Sequence, residues 1–351
     1  METQVLFVRI YLPQPKLIIL RDMLMKDLVA AFTQHVREAM EIGSKATLTK
    51  SAHPIRNVLV TGLGGSGIGG TIVAQVTDKA MQVPLLVNKD YFLPAFVDQH
   101  TLVIVSSYSG NTEETLQALE AAMAKGAKIT CVTSGGKIGA IAKEKGLDLV
   151  TIPGGMPPRA CFGYSFTQIP YILQFHGLIN DSFRQDLADC VTLLDQEEAA
   201  VKAEAKSIAE KLIGKLPIIY CEARYEGVAV RFRQQINENS KMLCWHHVLP
   251  EMNHNELVGW TEPHPEAVVL MFRCEDDYYR TQKRMEISRD VVKKHGANYI
   301  EMHAKGKSQL QRSLYLLHLG DWVTWYVAEI KDIDATEVRV IDFLKNELAG
   351  V

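Results

Sequence analysis

Apolar residues recur along the chain in two alternating rhythms. Unbroken runs at NVLVTG (from Asn57), TLVIV (101–105), KITCVTS and DLVTIP read as strands buried on both faces. Between them, GLGGSGIGG with the TIVAQV that follows, LQALEAAMAKGA, and GKIGAIAKEKG read as helices. Strands alternating with helices predict a three-layer α/β/α unit around a mainly parallel sheet. A second series starts at PIIYCEA: strand 217–221, helix 226–240, a strand near 242–248, strand 266–272, helix 277–295 and strand 298–303. Its order echoes the first half as a weak repeat of layout. A helical pattern over 16–42 precedes the first unit, and helical patterns between the units run to Gly214, including the charged stretch DQEEAAVKAEAKSIAEK. The helices SLYLLHLGDWVTWYVAEIK and TEVRVIDFLKNEL close the chain. The expected organisation is an N-terminal extension over 1–22, a first subdomain over 23–180, a linking helix over 181–215 and a second subdomain with the C-terminal helices over 216–351. The extension is expected to be dispensable, because the amphipathic pattern MKDLVAAFTQHVREAMEIG is complete without it.

Length and charge narrow the function classes. At 351 residues the chain is long for one domain and comfortable for two. A net charge of −3 offers no general attraction for nucleic acid or an anionic membrane surface. No apolar run approaches the roughly 20 residues of a membrane span, and the N-terminus makes a poor signal peptide. The six cysteines lie scattered in apolar patterns without a CxxC pair, as expected of reduced thiols in a cytoplasmic protein.

Four stretches carry candidate chemistry. Gly62, Gly64 and Gly67 follow a strand and open a helix, an arrangement that presents backbone N–H groups to an anion. They also match GxGxxG, but Asn88 and Lys89 stand where a dinucleotide site wants an acid at the end of the second strand. SSYSGNTEET places Ser106, Ser107, Ser109 and Thr112 around a glycine ahead of a helix; capping needs one hydroxyl, and the surplus suits a phosphate monoester. PGGMPPRACFGY sets Arg159 beside an apolar helix start, where it is either a solvated loop charge or an anion contact. Finally, 226–260 begins as a buried helix and ends in the crowd Asn237, Glu238, Asn239 and Lys241, with His254 sixteen residues after Glu238. A carboxylate base and a histidine shuttle suit proton transfer; the bland reading is a solvated helix end and a surface histidine.

Taken together, GLGGSGIGG, SSYSGNTEET, PRACFGY, NENSK and PEMNHNELVGW resemble the motifs of bifunctional phosphoglucose/phosphomannose isomerases, a branch of the sugar isomerase (SIS) superfamily. The resemblance runs from about Met23 to the C-terminus. It implies two SIS-type subdomains, a homodimer, and reversible aldose–ketose isomerisation of hexose 6-phosphates without metal, nucleotide or other cofactor, in glycolysis and gluconeogenesis. By the same resemblance Glu238 is the base, His254 the ring-opening histidine, and Lys331 and Arg159 further catalytic groups. Ser107, Ser109 and Thr112 meet the phosphate, Gly65 and Ser66 lie near the sugar, and Thr324 admits mannose as well as glucose phosphate. One departure stands out: IDATEV from Ile333 lacks the prolines of the family's VDPTPV turn, so a looser turn is expected beside Lys331.

Three rivals remain at this point. A sugar-phosphate sensor would keep the hydroxyl loop and needs neither Glu238 nor His254. A nicotinamide dehydrogenase would use GLGGSG. A zinc isomerase would recruit His246, His247 and His254, although adjacent strand residues point to opposite faces.

Overall fold

The computed structural model describes residues 25–348 and 350, so the extension expected over 1–22 lies outside the described residues. Residues 25–30 are helical and α1 (Phe32–Lys45) follows them. The first sheet holds β1 (Asn57–Thr61), β2 (Leu85–Asn88), β3 (Thr101–Ser106), β4 (Lys128–Thr133) and β5 (Asp148–Thr151), all parallel, in the order β2-β1-β3-β4-β5. Around it lie α2 (Gly64–Thr77), α3 (Glu113–Ala124) and α4 (Gly136–Lys145). Between the sheets run α5 (Phe162–Phe175) and the 31-residue α6 (Ser182–Leu212). The second sheet, β7-β6-β8-β9, is also parallel: β6 (Leu216–Glu222), β7 (Trp245–Leu249), β8 (Ala267–Arg273) and β9 (Asn298–His303). Its crossovers include α7 (Glu226–Ser240) and α8 (Tyr279–Lys294), and the chain closes with α9 (Gln309–Ile330) and α10 (Arg339–Leu348).

The continuous apolar strands are sandwiched as their composition requires. In β1, Val58 and Val60 face one core while Leu59 faces another, and in β6 Ile219 and Cys221 part company with Ile218 and Tyr220 in the same way. Val58, Val60, Ile219 and Cys221 belong to one cluster that runs through the helices between the sheets and takes in Phe232 of α7 and Trp322 of α9. Full burial of such a side chain stabilises by roughly 1.5–3 kcal/mol. The helices shared between the sheets therefore bind the two halves into one packed unit.

This topology decides where loops meet. In each sheet the chain leaves its first strand to one side and later returns on the other, which opens a crevice at the strand C-termini between β1 and β3, and between β6 and β8. The first crevice receives the glycine turn and the hydroxyl loop. The second receives Glu222 and the acidic turn that follows β8.

Candidate active site

The glycine turn lies flat against the end of β3. A Cβ on Gly62 would sit 2.4 Å from the Ser106 carbonyl oxygen, and one on Gly67 would sit 2.1 Å from that of Gly62. Only glycine permits this approach. It sets Ser66 Oγ to accept a hydrogen bond from the Tyr108 N–H at 3.2 Å, joining the two loops. In the hydroxyl loop, Ser107 Oγ and Thr112 Oγ1 are 3.0 Å apart, and Ser109 Oγ accepts from the Asn111 N–H at 3.3 Å. Thr112 occupies the N-cap of α3 without capping it through its side chain, and Leu63 does the same for α2. Two helix N-termini thus open onto one cluster of hydroxyls, with their first N–H groups uncapped by these side chains. Thr112, at the N-cap position, pairs its hydroxyl with that of Ser107.

Arg159 follows from this loop pair. The Tyr108 hydroxyl accepts from the Met156 N–H at 3.2 Å, which ties the segment leading to Arg159 to the hydroxyl loop. A Cβ on Gly65 would lie 3.7 Å from the Arg159 Cα, so the glycine turn and the arginine are neighbours. Arg159 is 5% exposed, not a solvated loop charge. Its Nε donates to Asn239 Oδ1 at 2.7 Å, its Nη2 donates to the Ala335 and Thr336 carbonyls at 2.6 and 2.9 Å, and its Nη1 lies 3.5 Å from Glu238 Oε2. Burial pulls the Arg159 guanidinium down from its ordinary value, and Glu238 opposes that pull. Glu238 itself keeps part of its carboxylate open to solvent.

Around this ion pair, α7 and α9 present their polar residues to each other. Ser240 Oγ donates to the Thr324 carbonyl at 3.0 Å, and Lys331 Nζ donates to the Ser240 carbonyl at 2.7 Å. Burial lowers the Lys331 ammonium from its ordinary value. Lys241, in the left-handed conformation just past α7, donates through Nζ to the Glu238 and Glu337 carbonyls, each at 2.6 Å. The turn over 332–338 is pinned as a result: Arg159 takes two of its carbonyls and Lys241 a third, while Ala335 is buried. These two cations supply contacts to IDATEV that do not depend on the family's prolines.

His254 stands apart from this group within one chain. It ends a 3-10 turn (Glu251–His254) beyond the C-terminus of β7 and is exposed. Glu238 lies at the other end of α7, whose 15 residues span about 22 Å. The direction is set by the contacts: Glu226 at the start of α7 faces His246 of β7 at 3.5 Å, so β7 runs back along the helix, away from Glu238. The neighbouring histidines are spoken for. His247 Nδ1 lies 2.6 Å from Glu256 Oε2, and Glu256 also accepts from the Tyr220 hydroxyl at 2.5 Å and from Trp245 Nε1 at 3.0 Å. His246 and His247 therefore face different carboxylates, and no group of three or more His, Cys, Asp or Glu among the described residues is placed to hold a metal ion. At the end of β2, Asn88 Nδ2 donates to the Asp90 carbonyl at 2.8 Å.

Pattern reading missed Arg231, Gln235 and Asp321. The signals were present as a guanidinium and a carboxylate inside helices otherwise built for burial; Arg231 Nη2 meets Asp321 Oδ2 at 3.1 Å, with both residues buried.

Two parallel sheets joined by shared helices, with a hydroxyl cradle on the first and a carboxylate base candidate on the second, define a double α/β protein of SIS type. The fold is shared with a hypothetical protein of Thermus thermophilus (TM-score 0.73, 15% identity, covering 95% of this chain and 94% of that one). The C-terminal domain of glucosamine-fructose-6-phosphate aminotransferase from Francisella tularensis gives a TM-score of 0.71 at 14% identity, covering 89% and 98%. Residues 201–348 match the family described as the bacterial phospho-glucose isomerase C-terminal SIS domain. The chain is 40% identical over 330 residues to the bifunctional phosphoglucose/phosphomannose isomerase of Caldicellulosiruptor bescii, covering 91% of this chain and 97% of that one. It is 36% identical over 304 residues to the enzyme of the same name from Aquifex aeolicus, covering 86% and 93%. The chain belongs to the bifunctional phosphoglucose/phosphomannose isomerase family and is an isomerase.

Proposed function

We propose that this chain interconverts glucose 6-phosphate, and mannose 6-phosphate, with fructose 6-phosphate by proton transfer through a cis-enediol, in a crevice bounded by both subdomains (23–180 and 216–351, joined by the 181–215 helix). The observation that carries the reading is the Arg159–Glu238 pair at 3.5 Å, with Gly65 of the anion-binding turn against Arg159. Phosphate binds at Ser107, Ser109 and Thr112 and the free ends of α2 and α3, with Gly65 and Ser66 toward the sugar. Held there, the phosphate orients carbons remote from it. Glu238 carries the proton between carbons 2 and 1. Arg159, assisted by Lys331, meets the negative charge that develops on the enediolate oxygen. The reading calls for no cofactor, with Arg159 and Lys331 supplying the positive charge that meets the enediolate.

His254 opens the ring, and the copy that supplies it is a second subunit. Its distance along α7 from Glu238 within one chain supports this assignment, as a two-fold partner can lay its Pro250–Glu256 loop over the crevice. The exposed apolar residues Val340, Phe343 and Leu344 of α10 also favour a homodimer. Among the described residues no helix is long and apolar enough to cross a membrane, and the six cysteines are unpaired. These features fit a cytoplasmic enzyme.

A coupled assay on glucose and mannose 6-phosphates in the presence of EDTA tests the reading. Turnover of both, unaffected by chelation, is expected. Binding of sugar phosphate without turnover would make the protein a sensor instead, and loss of activity on chelation would move it to metal chemistry.

A further inference from the structure

Asn239 follows the base in sequence but turns the opposite way. Where α7 leaves Glu238 partly open, it drives Asn239, 0% exposed, into the contact with α9. Asn239 Oδ1 accepts from Arg159 Nε at 2.7 Å, and its Nδ2 donates to Thr324 Oγ1 at 3.0 Å. The two ends of the amide are not interchangeable. A guanidinium has only donors, so the atom facing it must be the carbonyl oxygen. At the far end, Thr324 Oγ1 gives its own proton to the Asp321 carbonyl at 2.9 Å and keeps a lone pair for the amide N–H. The Asp321 carboxylate is held in turn by Gln235 Nε2 at 2.9 Å and Arg231 Nη2 at 3.1 Å, and that same Arg231 nitrogen donates to the Arg159 carbonyl at 2.9 Å. A ring of buried contacts thus leaves Arg159 through its side chain and returns to its backbone.

We propose that Asn239 is a positioning residue for the isomerisation, and that the Thr324 hydroxyl acts on the chemistry through Asn239. This rests on the reading of Arg159 and Glu238 as the reacting pair. A guanidinium carries five N–H donors on three nitrogens. Asn239 occupies Nε and the turn carbonyls of Ala335 and Thr336 occupy Nη2, which leaves Nη1 for Glu238 and the substrate oxygen. Without the amide, the turn carbonyls alone would hold the plane, free to tilt about them. A misplacement of about 1 Å costs on the order of 10²-fold in rate. The ring also gives Thr324 a task separate from its size. Its hydroxyl serves Arg159 whichever epimer is bound, whereas its small volume bears on the turning of the sugar.

The test measures kcat and KM on glucose and mannose 6-phosphates. Thr324→Val, close in shape but without the hydroxyl, should lower kcat about 10-fold on both sugars and leave KM within about twofold, because the phosphate cradle is untouched. Asn239→Ala should lower kcat by about 10- to 100-fold. The double variant should be no worse than Asn239→Ala alone, since both changes break one ring. Thr324→Ser, which restores the hydroxyl, should recover most of the loss seen in Thr324→Val. If Asn239→Ala fails to fold, Asn239→Asp completes the same cycle; its carboxylate draws the guanidinium away from Glu238 and lowers kcat without changing KM. Additive losses in the double variant, or a Thr324→Val defect confined to mannose 6-phosphate, would overturn the proposal. Should Glu238→Gln retain full turnover, the reading of the reacting pair fails; should Glu238→Gln be inactive while the losses add, the ring alone fails.

Discussion

At Glu238 a carboxylate faces a buried guanidinium on one side and solvent on the other, which leaves it room to meet a substrate carbon. Glu238→Gln keeps the size and hydrogen-bonding shape but removes the basicity. Turnover should fall by about 10²- to 10⁴-fold, the usual worth of a placed general base. Sugar phosphate should still bind. Deuterium exchange at carbon 1 of fructose 6-phosphate reports the abstraction directly, and near wild-type exchange would move the role elsewhere. Glu256, the nearest sequence alternative, is a poor substitute because Tyr220, Trp245 and His247 already occupy its oxygens. Thr324 is fully buried, so its bulk matters. Thr324→Gln should depress mannose 6-phosphate turnover more than glucose 6-phosphate turnover; equal losses would leave the residue with its hydrogen-bonding role alone.

Among the elements, β6 and β8 end in a second crevice whose chemistry differs from the first. Glu222 accepts from the Tyr278 N–H at 3.2 Å and from Arg224 at 2.7 Å, while Asp277 accepts from the Cys274 N–H at 2.8 Å through one oxygen and, when protonated, hydrogen-bonds Glu222. Burial, reinforced by Glu222, pushes the Asp277 carboxyl up to about 7. The folded protein therefore holds this proton more tightly than the unfolded chain. The stability tied to it is present at low pH and is lost as pH rises through about 7. Asp277→Asn has no such proton to lose and can donate to Glu222. Its melting temperature should exceed that of wild type at pH 8 by an amount equivalent to about 1 kcal/mol, and the gain should shrink by pH 5. A pH-independent difference would remove Asp277 as its source. The first crevice differs for a reason visible in its loops: glycines and hydroxyls leave helix N–H groups open, whereas here carboxylates meet Arg224 and Arg312.

For the whole molecule, the placement of His254 makes catalysis, on the proposed reading, a property of a pair of chains. Glu238→Gln and His254→Ala should each be inactive as purified homodimers. Mixing them through denaturation and refolding yields hybrids in which one of two sites keeps both groups, so about a quarter of wild-type activity should return. No recovery after subunit exchange would return His254 to the same chain as Glu238. The long α6 and α9, packed between the sheets, keep the two halves of each chain in register and so fix the crevice that a partner would complete.

Local physics made much of this legible before the structure. Strand and helix order followed from runs and periods, because burial on one or both faces leaves its mark on neighbouring residues. The expected helix at 226–240 and strand at 298–303 fall on α7 and β9, and two hydroxyls of the loop after β3, those of Ser107 and Thr112, lie 3.0 Å apart. Tertiary structure alone decided which distant groups meet. Arg159 reaches Glu238 and Asn239, 79 and 80 positions away, because the shared helices fold one sheet's loop onto the other's crossover. Arg231 and Asp321 gain their meaning only as a buried pair. The pinned turn after Lys331 depended on cations from two other segments. A sequence pattern records what each residue needs from solvent and near neighbours, while contacts across long separations are set by packing, which no local period encodes.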